Sequence, residues 1–167
     1  ILAFDVTQIA YAVNMMSVTS SALTIMFLFW SISLIAKEIL KVKEIVKVSE
    51  AIKIFGSSFL GSITFTFTDS FWYNAVEAEV YAMATLILAL LFWLGLKWVD
   101  DFGKVRSDKW LILISFVVGL SFGVHFMGLL AIPSIGLLYY FKKYNEFNIK
   151  KFILANVISV SILLFIF

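Results

Sequence analysis

Residues 68–83 read TDSFWYNAVEAEVYAM, and they set Asp69, Glu77 and Glu79 together with Trp72, Tyr73 and Tyr81 between two long apolar runs. A charged group at the centre of a bilayer costs roughly 2.5–3.5 kcal/mol on insertion scales. Carboxylates beside membrane spans therefore lie in water, line a cavity or act on something. Which of these holds depends on where the other charges fall.

The chain has 167 residues, is 62% hydrophobic and only 14% charged, and has a mean hydropathy of +1.02. That is too apolar for a soluble globular domain, so the fold class is all-α, a single-domain polytopic membrane bundle. All thirteen Lys and Arg fall in three clusters, Lys37 to Lys53, Lys97 to Lys109 and Lys142 to Lys151. The positive-inside rule makes these cytoplasmic. The opposite ends hold Asp5, Asp69, Glu77, Glu79 and the single histidine, His125, with no basic side chain. Thirteen basic against seven acidic side chains lie inside, and four acids lie on the periplasmic or luminal side. Cysteine is absent, which removes disulfides and thiolate metal sites. The chain starts without Met and ends in an apolar run, so it reads as an internal piece of a longer protein.

Working outward, residues 9–36 form a first span whose Asn14, Ser17, Thr19, Ser20, Ser21 and Thr24 suit helix packing. Residues 37–53 read as an amphipathic interfacial helix. A second span covers 54–68, and a third covers 75–96 with Trp93 and Trp98 at the headgroup layer. Gly103 marks a turn in the next polar link. The run from Trp110 to Phe141 is flanked by basic loops on both sides, so it must cross an even number of times, as two helices meeting near Gly123 to His125. Helices of about 14–16 residues rise only about 21–24 Å, so that turn is recessed below the membrane surface. A single long tilted helix is the rival reading. A last span starts near Phe152, for about six membrane helices in all.

Asn74 and Glu77 have the spacing of a capping box for a helix that starts at Ala75. Glu79 would lie roughly 200° around that helix and needs another partner: water, a substrate, a metal, or burial with hydrogen bonds. Asp69 suits a cap of the turn that follows. Trp72, Tyr73 and Tyr81 suit an interfacial belt or contacts to a sugar or prenyl chain. Tyr73, Glu77 and Tyr81 would share one helix face. His125 suits either a neutral interhelical histidine or a group that binds phosphate or moves a proton. A divalent metal held by Glu77, Glu79 and His125 is a weak further possibility.

The stretches VNMMSVTSSALTIMFLFWSIS, FTDSFWYNAVEAEVYAM and GLSFGVHFMGLLAIPS resemble a family of bacterial, Bacteroidetes-type membrane proteins of formerly unknown function. That family is related to the transmembrane protein O-mannosyltransferase. The resemblance implies a GT-C fold and an inverting transfer of a sugar, mannose above all, from a polyprenyl-phosphate donor to a protein Ser/Thr or envelope-glycan acceptor on the outer face. It implies Glu79, Glu77 and His125 as catalytic groups, with Asp69, Trp72, Tyr73, Asn74 and Tyr81 binding substrate. The principal acid of the family motif would precede Ile1. The implied partners are the lipid-linked sugar, the acceptor and the bilayer, with no nucleic acid and no resident cofactor. A transporter or flippase with an acid and histidine proton relay, or a noncatalytic membrane subunit, are the competing functions.

Overall fold

The computed structural model describes residues 6–144 and 146–166; Asp5 lies outside them. Among the described residues there are seven α-helices, a short 3₁₀ turn and no strand. The helices are α1 (Val6–Ile39), α2 (Val48–Thr66), α3 (Asp69–Val76), α4 (Tyr81–Asp100), α5 (Lys109–Ser121), α6 (Ala131–Lys143) and α7 (Ile149–Ile166), with the 3₁₀ turn at Phe126–Leu130 before α6. Two helical stretches, Gln8–Ile39 and Tyr81–Asp100, are long and apolar enough to cross a membrane.

Small hydroxyl side chains are buried between α1 and its neighbours, while many large apolar side chains lie on the outside of the bundle. Ser17, Ser20, Ser21, Thr24 and Ser31 of α1 are buried, as are Ser58 and Ser62 of α2. Leu60, Ile112 and Phe116 are exposed. In water this pattern would be unstable, whereas lipid tails solvate the apolar surface and small residues let helices approach. Several buried hydroxyls return their hydrogen bonds to the preceding turn, as Thr24 does to the Ser20 carbonyl (2.9 Å) and Ser62 to the Ser58 carbonyl (2.7 Å), whereas Ser21 and Ser31 Oγ have no partner among the described residues. One bond joins two helices, from Ser33 Oγ to Ser58 Oγ at 2.9 Å. Asn14 and Thr19, expected to help in this packing, are exposed.

Helix directions follow from the packing. Phe27 and Trp30 meet Trp93, while Thr24 and Leu28 share a cavity wall with Thr85 and Leu88, so α1 and α4 run the same way. Helix α2 returns along α1, with Ser58 at Ser33 and Gly61 at Ile32. Helix α5 is antiparallel to α4: Trp110 reaches Asp101, and Ser121 lies by Gly128, which faces Ile87. Helix α6 runs with α4, placing Gly95 against Leu138 and Trp98 against Tyr139. Leu91, Leu94, Ile114, Val117 and Ala131 form the apolar core of this trio. Helix α7 turns back along α6, with Ser159 at Gly136 and Phe152 at Tyr140. Alternation of direction gathers the three Lys-rich links at one end of the bundle. Helix α3, residues 77–80 and residues 122–130 share the other, acidic, end.

The expected break within 110–141 is present, and a single long helix is excluded. Gly123, Val124 and His125 leave α5 through N–H bonds to the Leu120 and Ser121 carbonyls, and Pro133 sits in the first turn of α6, where its missing N–H costs nothing. Three other expectations are corrected. The 37–53 link is not an interfacial helix: Lys41 takes a left-handed φ of 53° that ends α1, and the chain turns before α2. The Glu50 carboxylate then accepts the Lys47 N–H (3.3 Å), which ties off the start of α2. Trp98 does not face a headgroup layer; it is buried and stacks on Tyr139 with centroids 5.4 Å apart. Finally, no helix begins at Ala75, which changes the reading of the acidic segment.

Candidate active site at the acidic end

Helix α3 exists because Phe71 is buried against Phe65 (centroids 4.9 Å apart) and the helix packs on α1. Thr68, not Asp69, stands at its N-cap, and the Thr68 hydroxyl is engaged by the Phe65 carbonyl at 2.8 Å. Asp69 occupies the first turn, where its charge complements the helix dipole. Asn74 lies inside α3, which ends when Glu77 turns extended (ψ 143°). The Asn74–Glu77 capping box is therefore not formed. The shared face of Tyr73, Glu77 and Tyr81 is lost for the same reason, since the helix breaks between them.

Residues 77–80 form an exposed turn that projects Glu77 and Glu79 from the end of the bundle. Neither carboxylate, nor that of Asp69, makes a side-chain hydrogen bond or ion pair with another described residue. Glu79 is thus not the buried, hydrogen-bonded carboxylate that was its structural alternative.

Tyr81 opens α4, and its ring lies 5.6 Å from the His125 ring. The two segments far apart in sequence meet at this point. His125 has extended backbone, its N–H bonds the Ser121 carbonyl at 2.8 Å, and its Nδ1 accepts the Met127 N–H at 3.1 Å. A nitrogen that accepts carries no proton, so the neutral ring presents N–H at Nε2. His125 is half-buried with Nδ1 committed, which leaves Nε2 as the group for a ligand. Gly128 makes this turn possible: a Cβ there would come within 2.6 Å of Ser121 Cβ and Oγ.

A cavity of about 390 Å³ lies among α1, α2, α4 and α6, lined by Thr24, Phe65, Thr85, Leu130 and Ser134. The larger cavity, about 730 Å³, lies elsewhere, between α5, α6 and α7 toward the basic end. The smaller one is walled by apolar and hydroxyl side chains, and neither Tyr81 nor His125 lines it. Its size falls within the roughly 300–1,000 Å³ of ligand pockets.

The family model of the protein O-mannosyl-transferase TMEM260 N-terminal domain matches residues 1–148. The chain belongs to that family. No curated protein and no solved structure gives a match.

Membership means a relation to glycosyltransferases that use a sugar donor and a protein acceptor. The structure brings Tyr81 and His125 together and places the turn of Glu77 and Glu79 directly before Tyr81. Trp72 and Tyr73 are exposed on α3, with Trp72 stacked on Phe67 at 6.1 Å, and Asn74 is half-buried. No three His, Asp or Glu among the described residues are grouped so as to hold a metal ion, so Glu77, Glu79 and His125 do not form a metal centre here. Sequence reasoning missed the supporting roles of Met127, Ser121 and Gly128. The signal was in GVHFMG, where a glycine three residues beyond the histidine marks a close approach.

Proposed function

We propose that this chain is the membrane bundle of a GT-C-type inverting glycosyltransferase, with about six spans, basic links on the cytoplasmic side and the acidic end outward. It transfers mannose from a polyprenyl phosphate to a protein Ser/Thr hydroxyl. The observation that carries this reading is the meeting of His125 with Tyr81, just after a turn whose carboxylates pair with no cation among the described residues.

The chemistry has two needs. A hydroxyl is a weak nucleophile at neutral pH, so a carboxylate must take its proton as the oxygen attacks the anomeric carbon. The sugar–phosphate bond breaks on the opposite face, and the phosphate departs with the electron pair and needs donors. His125 Nε2–H serves the phosphate, while Glu79 orients the acceptor and assists its deprotonation. Glu77, Asp69 and Asn74 hold polar groups of the substrates, and Trp72, Tyr73 and Tyr81 offer apolar faces to sugar or prenyl carbons.

The test is sugar transfer from a polyprenyl-phosphate mannose by membranes carrying Glu79→Gln, Glu77→Gln or His125→Ala. The expected loss is about 10²-fold for Glu79→Gln, from weakened base chemistry. Full activity in all three variants would overturn the site.

A further inference from the structure

The groove between α5, α6 and α7 has a volume of about 730 Å³ and is walled by Ile114, Val118, Ile135, Leu154 and Ile158. It opens along the bundle's side and ends at Tyr144 and Lys151, beside the basic links. The lysines there fall into two groups. Lys142 and Lys143 close α6, where positive charge suits the negative end of the helix dipole. Lys150 and Lys151 lie in the first turn of α7, where the dipole disfavours them, and that turn holds no acid.

The turn before α7 holds the backbone of both lysines in place. Asn148 Oδ1 accepts the N–H groups of Lys150 (3.1 Å) and Lys151 (3.2 Å), and Tyr140 Oη clasps Asn148 from both sides, donating to its carbonyl and accepting its N–H. The Lys151 ammonium sits 4.6 Å from the Tyr144 ring centre. Neither Lys150 nor Lys151 is paired with a described carboxylate. An apolar channel that ends at an unneutralised pair of cations on a helix N-terminus is complementary to an amphiphile with an anionic head.

We propose that this groove holds an acyl chain of an anionic phospholipid, with the phosphate against Lys151 and the first turn of α7. The phosphate neutralises the Lys151 ammonium, which pairs with no described carboxylate, and the chain covers Leu154 and Ile158. The site is at the opposite end of the bundle from His125, so it stands or falls separately from the sugar-transfer reading.

The protein is reconstituted in nanodiscs with phosphatidylglycerol or phosphatidylcholine bearing a photoreactive acyl chain, and cross-links on α5 and α7 are mapped. Phosphatidylglycerol is expected to label the groove about fivefold more than phosphatidylcholine, the preference that one basic residue near an anionic headgroup confers. Lys151→Gln should bring the ratio near one, Lys151→Arg should keep it, and Ser115→Trp, at an exposed position on the groove wall, should lower labelling by both lipids. Equal labelling of the parent protein by the two lipids overturns the proposal. So does a preference that survives Lys151→Gln, or displacement of both probes by a polyprenyl phosphate.

Discussion

Asp100 and Asp101 at the basic end are held by cations, and Asp69, Glu77 and Glu79 at the acidic end are not. At the basic end Asp101 receives the Lys104 ammonium at 2.8 Å and the Trp110 indole N–H at 2.9 Å, and Asp100 pairs with Lys97 at 3.2 Å. At the acidic end Asp69, Glu77 and Glu79 have no such partners among the described residues. Through Trp110, Asp101 fastens the end of α4 to α5, and both of its oxygens are engaged. Unpaired acids keep their lone pairs for a ligand. Asp101 is therefore structural, whereas the carboxylates of Glu77 and Glu79 are exposed and unpaired among the described residues.

The largest expected effect tests the functional half of this contrast. His125→Ala should lower transfer by about 10²–10³-fold, the usual loss for one donor to a developing charge. Lys104→Ala, at the other end, should leave transfer within about twofold, since an exposed pair contributes little. Equal losses for both variants, measured in the same membranes, would erase the distinction.

Gly128→Ala should come next, with a destabilisation of about 1–3 kcal/mol, because the new Cβ would overlap Ser121 at 2.6 Å. Thermal unfolding in detergent measures it, and Gly119→Ala, with nothing within 4 Å of its Cβ, is the control. A similar loss at both glycines would mean that close packing is not what holds the His125 turn.

A smaller effect is expected at the basic end. Hydrogen bonds from Lys104 and Trp110, and then the nearby charge of Lys97, hold the Asp101 carboxyl at about 2, below its ordinary 3.8, although burial opposes this. A folded-state value below the unfolded one contributes stability above pH 3.8, which is lost as pH falls through about 2. Asp101→Asn should cost on the order of 1 kcal/mol at neutral pH, with solvent screening reducing the Lys104 part. It should also flatten the acid limb of a stability–pH profile. An unchanged acid limb would show that the fastening does not depend on this carboxylate. Smallest of all, Ser58→Ala, which removes the bond to Ser33, should cost about 0.6 kcal/mol in unfolding measurements.

Much of the architecture was legible beforehand because long-range physics leaves one-dimensional traces. Apolar runs mark helices, and lysine clusters mark one end. The Gly-flanked His125 turn was legible because basic loops on both sides of Trp110 to Phe141 require an even number of crossings. The acidic segment was misread where a local pattern met a tertiary contact. Asn74 and Glu77 match a capping box, yet Phe71 docks on Phe65 and recruits residues 69–76 into a separate short helix. The link after α1 misled in the same way, since its apolar and charged residues alternate suitably for a helix, while Lys41 in a left-handed conformation ends one.

By itself, then, the sequence determined an all-helical, lipid-suited chain with its acids and its histidine away from its lysines, because composition and charge order survive any folding. Only the tertiary structure decided that Glu77 and Glu79 stand on an open turn, that His125 lies beside Tyr81, and that Met127 commits its Nδ1. Those facts depend on which surfaces pack, above all α3 on α1 and Gly128 on Ile87, and packing between distant segments has no signature in local spacing.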